Sequence, residues 1–246
     1  MPALTVAVLG LGEAGSRLAA DLTAAGAAVR GYDPLKDGGA PEVAVSGSDV
    51  VLSVNSARAA VEAAQSAAGA LGREAVYADL NTAAPALKRE VAAVVGGERF
   101  ADVALLGPVP ARGLRTPALA SGEGARAFAE ALEPLGMPVD VVSERPGDAA
   151  ALKLLRSVFM KGVAAAAIES VRAAEAAGHA EWLKQEIAAV IGRPLLDRFL
   201  VGSRAHAVRR VEEMEAARDL LAELRVEPRI ADASAELLRS LAKESV

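Results

Sequence analysis

Residues 5–33 read TVAVLGLGEAGSRLAADLTAAGAAVRGYD, and the fold class follows from this stretch. Thr5–Leu9 is a short apolar run rich in β-branched residues, the pattern of a buried strand. It stops at Gly10-Leu11-Gly12-Glu13-Ala14-Gly15, a G-x-G-x-x-G loop. A helix is predicted over Ala14–Ala25, with Leu18 and Leu22 four apart and Gly26 as its stop. A second strand, Ala28–Tyr32, ends at Asp33, eighteen residues after Gly15. Strand, glycine loop, helix, strand and acid are the setting in which such a loop cradles a pyrophosphate. Gly10 permits the tight turn, Gly12 lets the backbone approach the phosphates, and Gly15 allows close helix–strand packing. The helix N-terminus offers N–H groups and a positive dipole end. The whole segment Gly10, Leu11, Gly12, Glu13, Ala14 and Gly15 is therefore a candidate cofactor contact. Asp33 is placed to accept hydrogen bonds from ribose hydroxyls and to repel a 2′-phosphate, which favours NAD over NADP. Arg30 and Lys36, both nearby, pull toward NADP. An ordinary glycine turn in an α/β protein is the competing reading.

The alternation continues outward from this unit. Strands are predicted at Asp49–Val54, Ala75–Asp79, Phe100–Leu106, Pro117–Ser121 and Val139–Val142. Helices are predicted at Ala57–Leu71, Pro85–Val95 and Gly124–Leu135, and Pro34, Gly38 and Gly39 form a loop. This spacing implies a doubly wound, mostly parallel Rossmann sheet of the α/β class over residues 1–146. After Pro146-Gly147 the pattern changes. Asp148–Ala177 reads as one long helix with a single internal glycine, Gly162, about 45 Å in length. Helices at Glu181–Ile191, Arg204–Leu224 and Ile230–Lys243 complete a smaller all-α domain, 147–246.

Two segments at strand carboxyl ends, where ligands bind in such sheets, are further candidate cofactor contacts: Val54-Asn55 and Asn81-Thr82. A turn-forming Asn or a helix N-cap is the competing reading for each. The chain has 246 residues, 52% of them hydrophobic, enough to bury one core or two. It has no Cys, which excludes disulfides and thiolate chemistry, and its two histidines, His179 and His206, argue against a metal site. A net charge of −5 without a basic run argues against nucleic acid. The N-terminus lacks a signal-peptide pattern, and the apolar run Gly162–Ala167 is too short to span a bilayer. A cytoplasmic protein without membrane contact is the expectation. The Ala-rich faces of the long helix, Val163–Ala167 and Val171–Ala177, predict a homodimer through the C-terminal helices.

Val6–Asp33, together with the ordered motifs that follow along most of the chain, resembles the β-hydroxyacid dehydrogenase family, which includes 3-hydroxyisobutyrate and 6-phosphogluconate dehydrogenases. Asp102–Gly122 and Gly147–Gly162 are similar to its 6-phosphogluconate-dehydrogenase-like branch with a short helical C-terminal domain. The resemblance implies an NAD(P)-dependent hydride transfer on a small hydroxyacid or ketoacid. It implies that Lys153, in Gly147-Asp-Ala-Ala-Ala-Leu-Lys153, is the general acid/base. A surface lysine on an amphipathic helix is the alternative. Ser157 stands where the family has a substrate-holding Asn, and Lys161 lies a further turn along the same face. The family's loop Asp-x-Pro-Val-Ser-Gly-Gly appears here as Asp102-Val-Ala-Leu-Leu-Gly107-Pro108-Val109-Pro110, without its serine, leaving Gly107 and Pro108 as candidate substrate contacts. His206 is a further candidate. The family's Lys-Asp pair is replaced by Glu212-Glu213, to which no role is carried over. Two alternatives remain open: an imine reductase, and a dinucleotide-binding redox sensor without turnover.

Overall fold

The computed structural model describes residues 3–36 and 40–244, so Gly38 and Gly39 of the predicted loop lie outside the described residues. In chain order the elements are β1 (Thr5–Leu9), α1 (Glu13–Ala24), β2 (Ala28–Tyr32), α2 (Pro41–Val45), β3 (Val50–Ser53), α3 (Ala60–Ala68) and β4 (Val76–Asp79). Next come α4 (Pro85–Val95), β5 (Phe100–Leu105), α5 (Val109–Arg112), β6 (Ala118–Ser121), α6 (Ala125–Leu132) and β7 (Val139–Ser143). The helices α7 (Asp148–Ala176), α8 (Ala180–Ile191), α9 (Arg193–Ala205), α10 (Ala207–Glu223) and α11 (Arg229–Glu244) follow.

The seven strands form one sheet in the order β2-β1-β3-β4-β5-β6-β7. β1 to β5 run parallel, β6 pairs antiparallel with β5, and β7 runs parallel to β6. Helices cover both faces, so the inner strands bury every residue and read as unbroken apolar runs rather than alternating ones. One face packs on Leu18 and Leu22 of α1 and Phe128 and Leu132 of α6. The other packs on Ala64 and Ala67 of α3 and Val91 and Val95 of α4. The strand order reverses between β1 and β3, and in such sheets ligands bind at the switch point, beyond the carboxyl ends of the parallel strands.

Two compact units divide at Met1–Lys153 and Leu154–Val246, a boundary that falls inside α7. Within the second unit, α10 and α11 form a hairpin whose turn holds Arg225 at φ 59°. Gly162 lets α7 pass close to α11: a Cβ there would lie 2.6 Å from Ile230 Cγ2. One helix here is missing from the sequence reading. Gly192, at φ 82°, and Pro194 in the first turn start α9, whose Leu196, Phe199 and Ser203 are buried. The helix predicted from Arg204 accordingly begins only at Ala207, after a break at His206 that no Gly or Pro marks. Part of the Ala-rich stretch of α7 is covered within the helical unit, while Ala166, Ala173 and Ala176 are exposed. Ala164 and Ala167 pack against Leu196 and Phe199 of the same chain.

Candidate active site

The glycine loop sits at the switch point and is held by neighbours on two strands. Gly10 has φ +99°, and a Cβ there would run into the Val54 carbonyl oxygen and Asn55 Oδ1. Its N–H donates to the Tyr32 carbonyl at 2.8 Å. Only glycine lets the turn lie this close to the end of β3. A Cβ on buried Gly15 would strike the Gly10 carbonyl oxygen, so α1 packs directly on the loop. Gly12 differs: it has φ −64°, and nothing lies within 4 Å of its would-be Cβ. That open side, above a helix start with no side-chain cap, is what a pyrophosphate requires. Glu13 is the first residue of α1 and is exposed, and Ala14 is half-buried beside it.

Asp33 is only 8% exposed. Its carboxylate accepts the Leu11 N–H at 2.8 Å and the Leu35 N–H at 3.0 Å, so it braces the glycine loop from the end of β2. Lys36 donates from Nζ to the Leu11 carbonyl, which places its ammonium on the loop. Arg30 is directed elsewhere, to the Ser46 carbonyl.

At the end of β3, the Asn55 N–H donates to Asn81 Oδ1 at 2.6 Å, and Asn55 Nδ2 donates to Ser53 Oγ at 3.0 Å. Asn81 is buried and also donates to Ser53 Oγ and Asp79. It therefore ties the ends of β3 and β4 together, while half-buried Val54 lies along the glycine loop. Beyond Asn81, Thr82 Oγ1 lies 2.7 Å from Lys153 Nζ. This contact holds the Lys153 ammonium at the carboxyl edge of the sheet, the edge that carries the glycine loop. After β5, half-buried Gly107 and exposed Pro108 open a loop that is pinned to α1. Arg17 donates to the Pro110 carbonyl at 3.1 Å, and Asp21 accepts the Leu114 N–H at 2.9 Å. That N–H is the main reason the Asp21 carboxyl titrates below its ordinary 3.8.

Ser157 and His206 belong to the helical unit. Ser157 is 1% exposed and donates its hydroxyl proton to Glu213. Lys161 completes the cluster, 2.9 Å from Glu213 Oε2 and 3.2 Å from Ser157 Oγ. Burial lowers the Lys161 pKa from its ordinary 10.5, and Glu213 opposes that shift. The acid at 213 is thus the counter-charge of a lysine one turn past Ser157. His206 is exposed at the junction of α9 and α10, where its carbonyl accepts the Arg210 N–H.

The sequence reading missed one cluster in the sheet unit. Lys88 on α4 is 1% exposed and meets two fully buried carboxylates, Asp79 at 3.2 Å and Asp102 at 3.3 Å. Its signal was legible, because Lys88 occupies the same helical stripe as buried Val91, Ala92 and Val95. Among the described residues, no group of three or more His, Asp or Glu side chains is arranged to hold a metal ion. No described helix is long and apolar enough to cross a membrane.

A family model described as a domain of unknown function, DUF1932, matches residues 174–241. An uncharacterized 28.5 kDa protein of Methanothermus fervidus is 28% identical over 173 residues, 69% of this chain and 66% of that protein. Among solved structures, a conserved protein of unknown function, MTH1747, described as structurally similar to 3-hydroxyacid dehydrogenases, is 29% identical with a TM-score of 0.77; the match covers 98% of this chain and 97% of that one. The Mycobacterium tuberculosis 3-hydroxyisobutyrate dehydrogenase, solved with L-serine, shares the fold with a TM-score of 0.81 at 19% identity, over 99% of this chain and 95% of that one.

Proposed function

We propose that this chain, which matches the β-hydroxyacid and 6-phosphogluconate dehydrogenase family in fold and motif order, is a cytoplasmic NAD(P)-dependent oxidoreductase acting on a small hydroxyacid or ketoacid. The observation that carries the reading is the contact between Lys153 and Thr82 at the carboxyl edge of the sheet, the edge that bears the glycine loop.

The dinucleotide fits the loop: Gly10 lets the turn close against the end of β3, and the space over Gly12 is open. Gly12, Glu13 and Ala14 would hold its pyrophosphate through backbone N–H groups, and Asp33 its ribose. NAD is the favoured cofactor because the Asp33 carboxylate faces the loop while Arg30 is turned to Ser46. Val54 and Asn55 would border the nicotinamide side. When bound, the nicotinamide accepts or delivers a hydride. As the neutral amine Lys153 would take the alcohol proton as hydride leaves the carbon, becoming the ammonium that returns a proton to the ketone oxygen in the reverse direction. Thr82 holds the ammonium at that position. Gly107 and Pro108 would approach the substrate from the end of β5.

Lys153→Ala tests the reading. Consumption of NADH or NADPH is followed against a panel of ketoacids, with cofactor affinity measured by calorimetry. Loss of turnover by roughly 10²- to 10⁴-fold with unchanged cofactor affinity is expected. Unchanged turnover would remove Lys153 from the mechanism. Turnover of imines alone would favour the imine-reductase alternative. Cofactor binding with no turnover of any panel member by the parent protein would favour the redox sensor, a reading supported by the missing loop serine and by the Ser157 hydroxyl being bonded to Glu213.

The proposal includes a homodimer formed by the helical units. Phe159, Trp182, Val190, Val201 and Val208 are each more than 60% exposed there, apolar area that a partner copy would cover. A monomer in light scattering would end that part of the reading.

A further inference from the structure

Ser53, Asp79, Asp102 and Ser121 are register partners across β3, β4, β5 and β6. All four are fully buried, a polar row across four strands whose other residues are Val, Leu, Ala, Tyr77 and Phe100. Buried polar groups require partners. Adjacent aspartates in register on neighbouring strands lie about 5 Å apart, and in a poorly screened interior they repel. Lys88 answers this from α4. Its ammonium lies 3.2 Å from Asp79 Oδ2 and 3.3 Å from Asp102 Oδ1, and it donates to the Asp79 carbonyl at 2.8 Å. Neither of those carboxylate oxygens accepts a hydrogen bond among the described residues, so Lys88 is what offsets them.

One ammonium against two carboxylates leaves a negative charge, and the N-terminus of α7 meets it. Asp102 Oδ2 accepts the Ala150 N–H at 2.9 Å, and Ser121 Oγ accepts the Ala149 N–H at 3.0 Å while donating to Asp102 at 3.2 Å. A carboxylate at this helix end satisfies an orphan donor and the dipole together. Lys153 is three residues beyond Ala150. A buried ion cluster adds little net stability over apolar residues of equal volume, whereas it does dictate geometry.

We propose that Asp102, oriented by Lys88, is the positioning residue for Lys153: it fixes the first turn of α7 so that the Lys153 ammonium meets Thr82. This rests on the reading of Lys153 as general acid/base. Lys88 holds one oxygen of Asp102, which leaves the other aimed at Ala150. Releasing either residue frees the start of α7 to rotate, and Lys153 moves with it.

The test needs no substrate. Amide hydrogen exchange of Ala149 and Ala150, and the pH profile of Lys153 acylation by acetic anhydride, are measured by mass spectrometry in the full chain. The variants are Asp102→Ala and the double variant Lys88→Met/Asp79→Asn, which removes a carboxylate along with its counter-charge and keeps the test available where Asp102→Ala fails to fold. In both, the two amides are expected to exchange roughly 5- to 30-fold faster. The Lys153 acylation profile should shift, while that of exposed Lys243 stays in place. Unchanged amides and an unchanged Lys153 profile in a folded variant overturn the proposal. Equal acceleration along the whole chain overturns it too, because that marks the cluster as merely structural. An intact turnover in Lys153→Ala would refute the general-base reading and leave these measurements standing.

Discussion

Gly12→Ala and Gly10→Ala separate folding from cofactor binding. Gly12 has φ −64°, a conformation any residue adopts, and its would-be Cβ meets nothing within 4 Å. The folded state therefore tolerates the methyl. Its cost is that of Ala for Gly at a helix N-cap, about 0.5–1 kcal/mol. The methyl projects into the space the pyrophosphate would occupy. Overpacking of one methyl costs about 1–3 kcal/mol, which weakens the dinucleotide roughly 5- to 150-fold. Gly10→Ala meets two further obstacles. It places a side chain at φ +99° and drives Cβ onto the Val54 carbonyl and Asn55 Oδ1. Strain and overpacking together cost about 2–6 kcal/mol of folding stability. Urea unfolding measures the first quantity, and calorimetric titration with NADH and NADPH the second. Gly12→Ala should unfold almost as the parent does and bind poorly, whereas Gly10→Ala should lose both. Parental affinity in Gly12→Ala would refute the placement of the pyrophosphate over this loop. A Gly12→Ala protein as unstable as Gly10→Ala would refute the steric argument itself.

Lys36→Ala removes a cation lying on the glycine loop; NADPH affinity should fall a few-fold, as suits an exposed charge, and NADH affinity should hold within twofold by the same titration. Burial raises the Tyr77 phenol above its ordinary 10.0. Its stabilising share is therefore fully present below pH 10 and is lost as pH rises toward the folded value, so Tyr77→Phe should unfold at a higher pH than the parent in an alkaline titration followed by circular dichroism. Lys161→Met removes the largely buried Lys161–Glu213 ion pair while Arg210 and Ser157 still face the carboxylate, and urea unfolding should show a loss of about 1–3 kcal/mol. A loss under about 0.5 kcal/mol would mean that water replaces the lysine.

The elements were legible because their causes are local. A β-branched run ending in Gly10, a Pro85 start, a Gly26 stop and a thirty-residue stretch without Pro each act within a few residues. The glycine loop and its partner Asp33 were read from spacing alone, and the structure adds that Asp33 braces the loop through Leu11. The helix α9 was obscured because Gly192 and Pro194, common loop residues, here form a helix start.

The alternation of strands and helices and the placement of a lysine early in a long helix are written in local sequence. Which polar groups become partners is set by the folded chain. Asp79 and Asp102 become neighbours through strand register, and Lys88 reaches them from a helix buried on one stripe. Thr82 meets Lys153 across 71 residues of chain, and Ser157 meets Glu213 across 56. Periodicity within one element carries no information about such pairings. They follow from the requirement that every polar group taken out of water be satisfied by whatever the fold brings beside it.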